Sequence, residues 1–327
     1  MRIILRITIL FILAASAAYV ARAQFIPDPV SLVATPSSPS PRETVLIEAS
    51  TPTFDQESAF FSWTVNGNLR PEFSGQGKNQ ITLTAGEIGS TLQVNVEASA
   101  PQGTGGTASL SVRVSDLALT WLAETYTPKW YKGKALPVQN SVVNIVAIPR
   151  FVIGGREIPS RNLIYRWGLD DEDRALSGVG SQVFQVQISI MPKISHHIRV
   201  TIEDPGGQIR REGELFIVPV RPRLALYPSS PLGGIEFRSS PAFYQTATRG
   251  ILDFQAEPFF FPVKSKKELP FRWTVGGVEG RGTPGEENLL SINTGERPVP
   301  LIPLSVSVQI PDSVISAISN TLTLLLP

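Results

Sequence analysis

The chain has 327 residues, with 29 basic against 28 acidic side chains, two His and no Cys. Without thiols a disulfide-stapled miniature fold is excluded, so any ordered part must be held by core burial alone. No dense Lys/Arg stripe is present, which argues against nucleic acid as a partner. With 28 Pro and 26 Gly and strand-rich stretches of Val, Ile, Leu and Thr, the composition indicates all-β structure with many turns.

In chain order, the first element is a leader. Arg2 and Arg6 precede an apolar run from Ile7 to Ala18, and Ala21-Arg22-Ala23 supplies a small-x-small cleavage pattern. This layout predicts a secretory signal peptide over 1–23, cut after Ala23. An uncleaved anchor is the alternative, although about a dozen apolar residues fall short of the roughly 20 needed to span a bilayer. Cleavage removes three Arg and no acid, leaving 26 basic against 28 acidic residues. The expected location is the cell surface, the envelope or the extracellular space.

The mature part is organised by a repeat. Phe61-Ser62-Trp63-Thr64-Val65, Tyr165-Arg166-Trp167-Gly168-Leu169 and Phe271-Arg272-Trp273-Thr274-Val275 share an aromatic-x-Trp-x-aliphatic pattern, with the tryptophans 104 and 106 residues apart. That period is the size of one β-sandwich domain. An alternating strand precedes each Trp (Thr44–Ala49, Ser141–Ala147, Gly250–Ala256) and is expected to run into a loop at Pro52, Pro149 or Pro258. A longer alternating strand follows (Thr91–Ala98, His197–Glu203, Leu304–Ile310), then a closing strand (Ala108–Val114, Glu212–Val218, Thr321–Leu326). The expected architecture is three tandem immunoglobulin-like antiparallel sandwiches over 27–115, 116–220 and 221–327. Short joints, with Pro219 and Pro222 at the second, limit swing between them and suggest a rod of modules.

Residues two apart in a strand share a face. Trp63, Trp167 and Trp273 therefore lie on the apolar face of their strands, as plugs between two sheets, where Trp→Ala costs about 3–5 kcal/mol. The competing reading makes them sugar-stacking platforms. Trp121 and Trp130 stand outside the repeat, and Trp130, in Pro128-Lys129-Trp130-Tyr131-Lys132, is expected to be partly exposed.

These Trp strands resemble those of bacterial surface immunoglobulin-like domains, particularly the PKD type, which carry Tyr-x-Trp, a hydrophobic residue and an acidic turn. Tyr165-Arg166-Trp167-Gly168-Leu169-Asp170-Asp171 carries the resemblance most fully; Asn66-Gly67 and Gly276-Gly277 stand where the other two repeats lack the acids. The resemblance implies spacer, adhesion or protein-interaction modules on cell surfaces.

Catalytic chemistry has few carriers. His196 and His197 are adjacent, so in a strand they point to opposite faces and cannot readily share a metal; a solvated strand start is expected for both. No Gly-x-Ser-x-Gly elbow or phosphate-cradling loop is present. The chain therefore reads as non-enzymatic and without a cofactor. Two surface features stand out. Asp170, Asp171 and Asp173, in Asp170-Asp171-Glu172-Asp173, are candidate Ca²⁺ ligands, against the reading of a solvated turn. Phe259, Phe260 and Phe261, beside Lys264, Lys266 and Lys267, are candidates for contact with a protein or envelope partner, because three consecutive rings cannot all face one core. The bland alternative has Phe259 and Phe261 completing the third core while the lysines are solvated. Three readings follow: a surface or secreted interaction rod, a scaffold subunit of an envelope apparatus such as a pilus or secretion system, and a carbohydrate-binding protein.

Overall fold

The computed structural model describes residues 30–191, 195–230, 233–237, 240–246, 250–295, 301–310 and 317–327. The expected signal peptide lies outside them. The chain divides into two compact units, one ending at Val114 and one beginning at Ser115.

The first unit is one antiparallel sandwich. Its strands are β1 (Ser31–Thr35), β2 (Thr44–Ser50), β3 (Phe60–Val65), β4 (Asn68–Leu69), β5 (Gly75–Gln76), β6 (Gln80–Thr84), β7 (Thr91–Ser99) and β8 (Gly105–Arg113). One sheet has the order β1-β2-β6 and the other β4-β3-β7-β8, with β5 also on β3. Strict alternation decides what is buried: Val45, Ile47 and Ala49 of β2 meet Phe61, Trp63 and Val65 of β3 and Val94 and Val96 of β7. Such alternation, one face inward and one in water, is the mark of antiparallel sheets.

The second unit contains two further sandwiches. Its first half is built from β9 (Asp116–Ala123), β10 (Val142–Arg150), β11 (Val152–Ile153), β12 (Arg156–Glu157), β13 (Ile164–Leu169), β14 (Glu172–Val179), β15 (Val183–Gln187), β16 (His196–Glu203) and β17 (Arg210–Ile217). Sheet β15-β10-β9 packs on β14-β13-β16-β17, repeating the strand order of the first unit. Its second half holds β18 (Arg223–Ser230), β19 (Gly234–Ile235), β20 (Phe243–Gln245), β21 (Ile251–Phe259), β22 (Phe271–Val275), β23 (Val278–Gly280), β24 (Leu289–Asn293), β25 (Leu301–Val308) and β26 (Ile318–Leu325). Here β19-β18-β21-β24 faces β20-β26-β25-β22-β23, and the short β20 runs parallel to β26, covering that edge. The chain is thus tandem immunoglobulin-like β-sandwiches, referred to below as modules one, two and three in chain order.

Each module has its own apolar cluster, and each cluster contains one repeat Trp. The three indoles are 0–1% exposed, which removes the sugar-platform reading. Each also places its one polar atom alike. Trp63 Nε1 donates to the carbonyl of Lys78 at 2.9 Å, Trp167 to Ser181 at 2.8 Å and Trp273 to Glu287 at 2.9 Å. A buried indole N–H left without an acceptor is costly, so the strand-to-turn segment 14 or 15 residues downstream is fixed against the plug. The flanking positions Leu169 and Phe271 are only partly buried, yet pack on the same clusters.

Two expectations are corrected. Pro149 and Pro258 do not open loops but sit inside β10 and β21. Both lie past the last pairing with β15 or β24, where only β9 or β18 flanks the strand; a residue without an N–H is tolerated there. Residue 220 lies between β17 and β18, at the joint of the second and third sandwiches, and contacts across that joint hold the two in one compact unit.

Candidate functional site

The segment between β9 and β10 carries Trp130 and Tyr131 into contact with module three. Trp130 stacks on Phe237 with ring centroids 4.1 Å apart and meets Tyr227 and Phe259 edge-on at 6.0 and 5.7 Å. Tyr131 meets Phe259 at 5.6 Å and Phe260 at 5.8 Å. Edge-to-face pairs of this kind are worth about 0.5–1.5 kcal/mol each beyond the area they bury. Backbone bridges reinforce them. Tyr126 N donates to Phe261 O at 2.8 Å and Phe260 N to Tyr126 O at 2.7 Å, while Val220 N donates to Pro137 O at 2.8 Å.

This geometry disposes of the three consecutive Phe. Phe261 is fully buried in the core of module three, Phe260 is 6% exposed, and Phe259 is half-buried at the junction. The sharp reversal is made by Phe260, whose φ is +63°, a backbone state that bulky residues rarely adopt. Trp130 is half-buried by the same cluster. Of the rings singled out for an outside partner, Trp130, Phe259 and Phe260 thus hold module two to module three, while Phe261 lies in the third core, where the alternative put it together with Phe259. Lys264 and Lys267 are exposed, whereas Lys266 ion-pairs with the buried Glu257 at 2.9 Å. Gln255 also hydrogen-bonds Glu257. Burial, and secondarily the Glu257 charge, push the Tyr126 phenol up to about 12 and raise Tyr227 as well.

A hollow of about 540 Å³ opens beside the junction, lined by Tyr131, Leu136, Arg223, Tyr227, Phe259 and Phe260. The Asn320 amide at its wall donates to Leu224 O at 2.8 Å.

The acidic run is placed differently from the expected loop. Asp170 and Asp171 form the turn, but Glu172 and Asp173 already belong to β14. Asp170 has φ +53°, a state Asp tolerates better than most residues. Its Oδ2 lies 3.1 Å from His196 Nδ1, its Oδ1 accepts from the His197 amide at 2.9 Å, and its carbonyl accepts from Arg199 at 2.7 Å. Asp173 instead pairs with Arg199 at 2.8 Å, and Asp171 is exposed. The structure therefore does not bring Asp170, Asp171 and Asp173 together. Among the described residues no group of three or more His, Asp and Glu is placed to hold a metal.

The solvated strand start expected for both histidines is corrected for His196, which is 4% exposed. Its Nε2 is buried and finds no partner among the described residues. The signal was present in the sequence, since position 196 shares its face with Ile198, Val200 and Ile202. His197 points outward, stacks on Phe216 at 4.5 Å and reaches Glu214 at 2.8 Å.

The outer face of β13, β16 and β17 is charged. Arg166 pairs with Glu203 at 2.8 Å, and Arg210 reaches Glu203 at 3.1 Å and Glu212 at 2.9 Å. A second hollow of about 590 Å³ lies on this face, lined by Arg166, Arg199, Thr201, Arg210, Glu212 and Glu214. Sequence reading missed this face, whose alternating Arg and Glu in β16 and β17 were its available signal.

No family model matches the chain, and no curated protein does. Solved structures similar to this chain include three N-terminal domains of the bacteriophage RB49 highly immunogenic outer capsid protein, at 10% identity and TM-score 0.26, covering 91% of this chain and 97% of that one. The central fibronectin-III array of RIM-binding protein is similar at 13% identity and TM-score 0.29, covering 92% and 97%. A bacterial ice-binding adhesin structure is similar at 9% identity and TM-score 0.24, covering 92% and 99%. Likenesses this distant carry no argument about function.

Proposed function

We propose that this chain is an exported, non-enzymatic surface or secreted protein that acts as a structural and adhesive interaction rod. The observation that carries the reading is the aromatic junction. Trp130, Tyr131, Phe237, Phe259 and Phe260 join two sandwiches into one compact unit, which is what a module array needs in order to hold a binding surface at a fixed position. The secretory layout of residues 1–23 supports export. No helix among the described residues is long and apolar enough to cross a membrane. The partner is a protein or another envelope component; the pilus or secretion-system scaffold is the version in which that partner is a large assembly.

Protease shaving and crosslinking of intact native cells test the reading. Loss of the protein on shaving, with crosslinks to envelope components, is the expected result. Retention in the cytosolic fraction with no envelope crosslink sinks it.

Carbohydrate binding is a second reading, favoured by the aromatic-lined hollow beside Tyr131 and Tyr227. A glycan array is its test, with Tyr131→Ala as the variant that should abolish any signal; an empty array removes it.

A further inference from the structure

Each module lays chain along the outer edge of its repeat Trp strand, and module two does so differently. In module one that edge is covered by β4 and β5, of two residues each, with a turn at 71–73 between them. In module three it is covered by β23, of three residues. In module two it carries β14, an unbroken strand of eight residues. The open side of such a strand offers N–H and C=O groups to any other extended chain, and proteins keep such edges short or guard them.

The open groups can be named. Gly180 N donates to Leu163 O at 2.9 Å. Successive residues of a strand turn their backbone groups to opposite sides. Gly178 and Leu176, opposite Tyr165 and Trp167, therefore face β13. The backbone groups of Ser177 and Val179 point away from the sheet and meet no partner among the described residues. The two halves of β14 also differ. Glu172 and Asp173 charge the first half, and the ladder is irregular beside them, between Trp167 and Leu169. Charge and irregularity are the usual guards of an exposed edge. From Leu176 to Val179 the register is regular and no residue is charged. Leu176 is 37% and Val179 68% exposed there.

The ends of the edge select its occupant. Asp171 and Glu172 are exposed and form no ion pair among the described residues. A second copy of β14, laid antiparallel over the uncharged half, brings residues from Gly180 onward toward these acids. None of Gly180 to Gln185 is basic, and Gly180, at φ +72°, already turns the chain out of the strand. We propose that the open edge of β14 takes an extended segment of another protein as an added antiparallel strand, with apolar side chains beside Leu176 and Val179 and basic ones at its C-terminal end, beside Asp171 and Glu172. Main-chain bonds to Ser177 and Val179 hold such a strand, and the side chains select it. The inference deepens the interaction reading above and rests on it, since it names the surface and the chemistry of the partner.

The probe is a fluorescent, end-capped octapeptide of alternating Thr and Val closed by two Lys at its C-terminal end. Titrated with the whole mature chain and read by anisotropy, it is expected to bind about fivefold or more tighter than the same peptide closed by two Glu. At saturation the Ser177 and Val179 amides should exchange with deuterium about tenfold more slowly. Ser177→Pro deletes one outward N–H, a change an edge position tolerates, and should abolish binding. If a melt shows that Ser177→Pro unfolds the module, Val179→Lys, which sets a guarding charge on the edge, takes its place. No binding at millimolar peptide, equal affinity for the Glu peptide, or undiminished binding by a folded edge variant overturns the proposal. So does a dimer of the chain itself that the edge variant dissolves, because the occupant is then a second copy. Cell shaving reports on export and the titration on the edge, so a surface-exposed chain that ignores the peptide refutes the edge alone.

Discussion

Trp130 of module two stacks on Phe237 of module three with centroids 4.1 Å apart and planes inclined by 36°. Neither ring belongs to the repeat, yet together with Tyr227 and Phe259 they join two cores. Trp130→Ala removes three ring contacts at once and is expected to weaken the junction by about 2–4 kcal/mol. Calorimetry of the whole chain should show the transition of modules two and three separate into two. Hydrogen exchange at the Tyr126 and Phe260 amides, which bridge the same junction, should accelerate while the repeat Trp strands stay protected.

The plugs respond differently to truncation and to loss of the polar atom. Trp167→Ala is expected to cost about 3–5 kcal/mol, enough to unfold a module of ordinary stability at moderate temperature. Trp167→Phe keeps a ring but leaves the Ser181 carbonyl without its donor, for about 1–3 kcal/mol. Urea titration followed by tryptophan fluorescence distinguishes the two. The same ordering should hold at Trp63 and Trp273, because their Nε1 bonds are equivalent.

Tyr126 gives a pH dependence. Burial and Glu257 raise its folded value to about 12, above the ordinary phenol near 10. The unfolded chain therefore loses the proton first as pH rises. Stability from this group is fully present below about pH 10 and falls as pH climbs toward 12. Ultraviolet difference titration should show a late phenol, and Tyr126→Phe should remove it. A Tyr126 that ionises with the exposed tyrosines contradicts the packing at the junction.

Asp170 is a structural residue of the β13–β14 turn. Asp170→Ala removes the acceptor for the His197 amide and strands the buried His196 ring, at an expected cost of about 1–3 kcal/mol. Asp170→Asn keeps an acceptor and tolerates the left-handed backbone, so its cost should be smaller. Because His196 and Arg199 already engage Asp170 and Asp173, added Ca²⁺ should leave Tm unchanged. A rise in Tm with Ca²⁺ that Asp170→Asn abolishes contradicts this assignment.

Much of the fold is legible from residue order because a sandwich is written locally. Period-two alternation around Trp63, Trp167 and Trp273 assigns faces before any coordinate is known, and the long strands appear close to where alternation puts them, as with β7 at Thr91–Ser99. His196 is legible in the same way: parity with Ile198, Val200 and Ile202 puts it on the buried face rather than at a solvated strand start. Pro149 and Pro258 do not end their strands, because a proline stops a strand only where its missing N–H would have been paired.

The candidate sites are another matter. The sequence by itself determined the all-β class, the period and the identity of the core plugs, since these follow from side-chain alternation within single strands. Only the tertiary structure decided that Trp130 and Phe259 hold one sandwich against the next, that the Asp170 carboxylate meets His196 while that of Asp173 meets Arg199, and that Arg166 and Glu212 share a row. Those relations join residues tens of positions apart through strand register and inter-module packing, and a distance in space of this kind leaves no periodic trace along the chain.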